Sequence, residues 1–273
     1  MTPLARAREH SARPLIAAHR GTPIGSVYPN TLAAAQAAFA SGADIVELDV
    51  LANEEGSYFA FHDGYEQMLL GSEVEIAHLS DAEVAELRYG KVLGGSGVAG
   101  VDHYFKIVSE LGERFVNVDR SWRYWGDGFL QELAATGYHD YRIVKSPVDA
   151  EHLDQLVAAK TRFPYLAMVK SSSDIEQVRA RTDINLIGLE ILPGDADDTL
   201  ADRDYLQSLR DAGLLLWFNA LNLENCVPLF LGFDDEVSVL DNPERGWGVL
   251  VDYGADIIQT DWPWLLAHYL DQR

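Results

Sequence analysis

Eight short apolar runs, rich in β-branched residues, recur along the chain at 15–20, 44–50, 115–120, 141–146, 165–170, 184–191, 214–219 and 256–261. Runs that stay apolar at nearly every position suit strands of a parallel sheet covered on both faces. Stretches with helical spacing lie between them, at 31–41, 150–159, 173–180, 201–212 and 262–270. Asn30 or Thr31 can cap the first, and Asp211-Ala212-Gly213 ends the fourth just before a strand. Eight strands alternating with helices over about 250 residues is the arithmetic of an α/β protein of the (β/α)8 TIM-barrel class. One barrel domain over 1–273 is therefore expected.

A ninth run, 58–62, breaks the alternation. Only 51–57 separates it from the second strand, too few residues for a parallel crossover. Asn53-Glu54-Glu55-Gly56 reads instead as a hairpin turn, which would fold the ribbon back and bring His62 level with Glu47 and Asp49. Residues 64–100 read as an insertion over the active-site mouth or, equally well, as a plain surface excursion, with a polar helix near 80–87 and a Gly94-Gly95-Ser96-Gly97 run.

Composition narrows the partners. With 21 Lys+Arg against 43 Asp+Glu the formal net charge is −22, which argues against nucleic acid and against adsorption to anionic lipid. The 48% hydrophobic and 23% charged content is that of an ordinary globular chain and excludes disorder. Cys226 is the single cysteine, so an intrachain disulfide and a zinc–thiolate cluster are excluded. No secretory signal and no bilayer-spanning run is present, and the expectation is a cytoplasmic protein acting on a small molecule. Its oligomeric state is not legible.

In a parallel barrel the chemistry collects at the carboxyl ends of the strands. Those ends carry His19-Arg20-Gly21, Glu47 and Asp49, His62-Asp63, Asp119-Arg120, Lys145, Lys170, Glu190, Trp217 with Asn219, and Asp261. Glu47 and Asp49 are two residues apart and share one side of their strand. Carboxylates crowded into one mouth repel and rise in pKa unless something neutralises them. A hard divalent cation, Mg²⁺ or Ca²⁺, would do so at Glu47, Asp49 and Asp119, whereas zinc would prefer more His or Cys. Trp122, in a loop after a strand, reads either as packing or as a platform for an alcohol, choline or sugar group, and Trp217 is a further aromatic candidate.

The ordered set His19-Arg20-Gly21, Asn30-Thr31-Leu32, Glu47-Leu48-Asp49-Val50, Phe61-His62-Asp63 and Thr260-Asp261-Trp262-Pro263 resembles the glycerophosphodiester phosphodiesterase family, over about residues 15–270. Its motifs read H-R-G, P-E-N-T, E-x-D, F-H-D and T-D-x-P. The resemblance implies a metal-dependent barrel enzyme that cleaves a phosphodiester with two histidines. His19 and His62 match the acid/base pair, Arg20 the phosphate contact, and Glu47 and Asp49 metal ligands. The family's E-x-K falls on Asp119-Arg120-Ser121, so Asp119 keeps a metal-binding carboxylate while the lysine is replaced by Ser121. The P-E-N-T glutamate is also missing, the local sequence being Tyr28-Pro29-Asn30-Thr31. Lys145 or Lys170 is then the expected source of the missing positive charge.

These groups imply a mechanism. Cation and Arg20 would neutralise the diester, one His would deprotonate an attacking hydroxyl (a neighbouring 2-hydroxyl of the substrate among the candidates), and the other would protonate the departing alkoxide. Two other readings keep the scaffold. A glycoside-cleaving enzyme would use the same metal and His pair, favoured by the lost lysine and the Trp-rich loop. A degenerate member would bind ligand without turnover.

Overall fold

The computed structural model describes residues 2–25, 27–90, 99–223 and 225–273. Along the chain run α1 (Pro3–His10), β1 (Leu15–Ala18), α2 (Leu32–Ala40), β2 (Ile45–Ala52), β3 (Tyr58–Ala60), α3 (Glu66–Leu70), α4 (Asp81–Glu86), α5 (Tyr104–Leu111), β4 (Phe115–Asp119), α6 (Phe129–Ala135) and β5 (Arg142–Pro147). There follow α7 (Ala150–Ala158), β6 (Tyr165–Val169), α8 (Ser172–Arg179), β7 (Leu186–Ile191), α9 (Arg203–Asp211), β8 (Leu215–Asn219), α10 (Asp235–Leu240), α11 (Trp247–Asp252), β9 (Ile257–Thr260) and α12 (Pro263–Leu270). Every expected strand is present, and local chemistry fixes the helix starts. Thr31, Asp149, Ser171 and Asp202 each accept a backbone N–H from the first turn of α2, α7, α8 and α9, and Ser80 with Glu83 forms a capping box on α4.

The ring order is β1-β9-β8-β7-β6-β5-β4-β2, and β1 pairs with β2 to close it. All eight ring strands are parallel, so the fold is the expected (β/α)8 barrel. β3 lies outside the ring, antiparallel to the upper half of β2 with Val50 opposite Ala60 and Ala52 opposite Tyr58. The turn between them is held by Asn53, whose Oδ1 accepts from the backbone of Glu55 and Ser57, and Gly56 supplies a φ of +79°.

Because strand side chains alternate, the barrel interior is stacked in layers. An apolar floor of Leu15, Ala17, Ile45, Ile143, Leu166, Trp217 and Ile257 is sealed from below by Leu4 of α1. Glu47, Asn117, Lys145 and Gln259 sit above it, all buried. The outer faces of the strands pack against the helices in one large core. The inserted stretch builds a satellite core of its own, in which Leu70, Ile76, Val84 and Tyr89 pack on Leu51, Phe59 and Phe61 of the β2–β3 ribbon. The Gly94–Gly97 run lies outside the described residues.

Candidate active site

The mouth is assembled by turns that the sequence dictates. After β1, Arg20 takes a left-handed φ of +53° and Gly21 one of +80°. A Cβ on Gly21 would stand 2.6 Å from the Ala34 backbone carbon, so only glycine lets the chain lie against α2 here. Asn30 also adopts a positive φ, donates its backbone N–H to the Arg20 carbonyl, and brackets Asp49. Its side chain accepts from the Asp49 N–H and donates to Asp49 Oδ2, both at 2.9 Å.

Glu47, Asp49 and Asp119 each bring a carboxylate oxygen within 4.8 Å of the others. Glu47 is fully buried. Its Oε2 accepts from the Arg20 backbone N–H at 2.9 Å, while Oε1 is buried without a partner. Burial, reinforced by the Asp49 charge, pushes the Glu47 carboxyl up to about 8. Burial would raise Asp49 too, but Arg20, 3.1 Å away at Nε, and the two histidines hold it below the ordinary value. A packed oxygen-only set with one orphaned carboxylate oxygen fits a hard divalent cation. Among the described residues it is the group of three acidic or imidazole side chains close enough to hold one.

Two histidines face the same cavity of about 300 Å³, which Arg20, Asp49, Asp119 and Trp122 also line. His19 Nδ1 lies 2.8 Å from Asp261 Oδ1, and its Nε2 is 4.0 Å from Glu47. Burial alone would lower the His19 pKa; the bond to Asp261 and the charges of Asp261 and Glu47 outweigh it and raise it. His62 is held differently. Its Nδ1 meets the Asp63 carbonyl at 2.7 Å, and its Nε2 lies 3.2 Å from Arg120 Nη1. A carbonyl only accepts and a guanidinium only donates, so the His62 proton sits on Nδ1 and the Nε2 lone pair accepts from Arg120. Arg120 is fixed by a 2.5 Å ion pair with Asp63, which Arg123 also contacts at 2.9 Å.

The motif departure at residues 119–121 has a local cause. Arg120 takes a φ of +61° and a 3₁₀ turn starts at Ser121, so the strand ends at Asp119. Ser121 is consequently buried away from the mouth, its Oγ accepting from Trp125 Nε1 at 3.2 Å. Positive charge enters from neighbours instead. Lys145 Nζ lies 3.0 Å from Asp119 and 3.1 Å from Glu190, and Asn219 donates to Glu190 at 2.6 Å. Burial would lower the Lys145 pKa, but Asp119 and Glu190 more than reverse this and keep it charged.

Eight of the ten expected site residues thus converge: His19, Arg20, Glu47, Asp49, His62, Asp119, Trp122 and Lys145. Two lie elsewhere. Trp217 is wholly buried in the barrel floor, its Nε1 donating to Asn219 and Gln259, because its place on β8 points inward one layer below the mouth. Lys170, one residue beyond β6, is exposed and borders a neighbouring groove rather than this cavity. Arg120, Glu190, Asn219 and Asp261 were not selected from sequence as site residues. The place of each at or just beyond a strand end was the available signal.

A barrel with acidic, imidazole and cationic side chains gathered at the carboxyl ends of its strands is the class that fold and site define. Comparison with known proteins agrees on the scaffold. Residues 150–270 match a family profile described as a domain of unknown function. No curated protein gives a significant match. Solved structures do. A glycerophosphoryl diester phosphodiesterase from Parabacteroides distasonis superposes with a TM-score of 0.77 at 14% identity, over 98% of this chain and 90% of that one. One from Thermotoga maritima gives 0.63 at 19% identity, over 95% and 100%. An Oleispira antarctica phosphodiesterase solved with its product sn-glycerol-3-phosphate gives 0.65 at 17% identity, over 95% and 97%.

Proposed function

We propose that this protein is a divalent-cation-dependent phosphodiesterase acting on small glycerophosphodiester-like substrates. The observation that carries the reading is the pair of histidines facing one cavity, each anchored at Nδ1, beside three clustered carboxylates and two arginines. Glu47, Asp49 and Asp119 would hold Mg²⁺ or Ca²⁺, which when bound supplies charge neutralisation to the phosphate oxygens. Arg20 and Arg120 would orient the phosphodiester, as guanidinium forks match phosphate oxygens. His62, whose Nε2 lone pair accepts from Arg120, is the base that takes the proton of the attacking hydroxyl once Arg120 turns to the phosphate; a 2-hydroxyl of a glycerol moiety can supply that proton. His19, whose protonated form Asp261 and Glu47 favour, is the acid that gives a proton to the departing alkoxide. The likeness to the phosphodiesterase structures supports this reading through the shared fold.

The glycoside alternative drew on the lost lysine. Arg120 and Lys145, both lining the cavity, supply cations that the lysine would have brought, and this favours the phosphodiester. A product assay on glycerophosphodiesters and disaccharides, with Mg²⁺ or Ca²⁺ supplied, tests the choice. Release of glycerol phosphate or its cyclic ester is expected; cleavage of a disaccharide alone would overturn it.

A further inference from the structure

The mouth is two-sided. Going round the ring, β1, β2 and β4 stand opposite β6, β7 and β8. Arg20, Asp49, Asp119 and Arg120 belong to the first side; the second side contributes Glu190 and Asn219 and, beside them, an apolar stretch that includes Met168, Leu192 and Leu229. The same three residues are also walls of an adjoining groove of about 730 Å³, more than twice the size of the cavity. Its remaining lining comes from the segments after β7 and β8, including Pro193, Ala196, Val227, Pro228 and Leu231, with Lys170 and Asp195 as its charged members. Val227 leaves 54% of its surface in solvent, so apolar area is presented there that the fold itself does not cover.

We infer that this groove is the subsite for one alcohol of the diester, and that this alcohol carries an apolar alkyl chain. The inference rests on the phosphodiesterase reading. A phosphate drawn to Arg20 and Arg120 on the charged side directs its other ester oxygen across the mouth, towards Met168, Leu192 and Leu229. A small hydrophilic alcohol would fill only the cavity. An alkyl chain continues into the groove without a turn back into water, and each methylene it buries there tightens binding by up to about three- to four-fold. The substrate class is therefore a glycerophosphodiester with an aliphatic second alcohol.

The test is a series of glycerophospho-n-alkyl esters, methyl to octyl, kept below micelle-forming concentrations. KM should fall at least about tenfold across the series with kcat little changed. Val227→Glu and Ala196→Glu, both at exposed positions of the groove, should abolish that trend and leave the methyl ester's kinetics as in the unmodified protein. A KM independent of chain length, or rising with it, overturns the inference. Binding of n-alkyl phosphates by calorimetry reads the groove without turnover. Affinity that climbs with chain length and drops in Val227→Glu upholds the groove even where no ester is cleaved, in which case the phosphodiesterase reading alone falls. Flat affinity removes the groove.

Discussion

His19 and His62 are fixed at the same ring atom by different partners, a carboxylate for one and a carbonyl for the other. In the proposed mechanism that difference would give them separate tasks. Alanine at either position should lower kcat by at least about 10²-fold with the melting temperature little changed. Asp261→Asn should lower kcat by at least about tenfold with KM nearly constant, since Asp261 acts through His19; steady-state kinetics beside thermal melts check both. Asp63, which fixes Arg120, also bears on stability. Burial would raise its pKa, but the bond to Arg123 and the charges of Arg120 and Arg123 hold it below the ordinary value. It therefore adds stability above the unfolded aspartate pKa of about 3.9, and loses it as pH falls through the lower folded value. In urea unfolding, Asp63→Asn should be less stable than the parent at pH 7, and the gap should close towards pH 2. Ser121→Lys should destabilise by about 3 kcal/mol or more, because the ammonium would be buried where Ser121 Oγ now meets Trp125. From sequence alone that lysine would be expected to be tolerated or to strengthen phosphate binding in a phosphodiesterase, and to damage activity in a glycosidase. The left-handed turn at Arg120 is what defeats this expectation, and no residue type announces such a turn in an arginine.

At the scale of elements, one buried side chain ties the end of α5 to the start of β5. Arg142, fully buried at the start of β5, donates to the carbonyls of Val108, Gly112 and Arg114 at 2.6–2.9 Å, and so closes the end of α5 onto the barrel. Burial brings its pKa down to about 10, and the three carbonyls satisfy the charge only while the guanidinium is there. Arg142→Met should cost about 3 kcal/mol or more by leaving those carbonyls unpaired, as chemical denaturation can measure. The strands were legible because burial on both faces writes itself as continuous apolarity. So were helices with a capping side chain, such as α2, α7 and α9, the last two also carrying a clean stripe. Two helices without a cap escaped notice: α6 starts at Gly128 with no side-chain cap, and α11 at Gly246 likewise. Site residues were legible where the strand-end rule applied. Trp217 shows its limit, since inward-facing positions one layer apart have opposite fates and sequence spacing does not mark the depth.

For the whole molecule, the concentration of buried acid at the mouth is a cost borne by the fold. Glu47→Gln should raise the melting temperature of the protein freed of metal, by relieving repulsion with Asp49 and the burial of an ionisable carboxyl. Mg²⁺ or Ca²⁺ should raise the melting temperature of the parent, and Asp49→Asn should reduce that rise, which differential scanning calorimetry reads without any substrate. Exhaustive chelation should abolish turnover and the same ions should restore it. The α1 helix matters at this scale as well. With Leu4 set into the base and apolar side chains packed above it, the barrel is a vessel with one opening. Whatever enters must leave at that same end, by the mouth or along the groove beside it. Under the proposed cleavage both fragments would leave at that one end, and their departure, not the bond broken inside, would set the pace once the chemistry is fast.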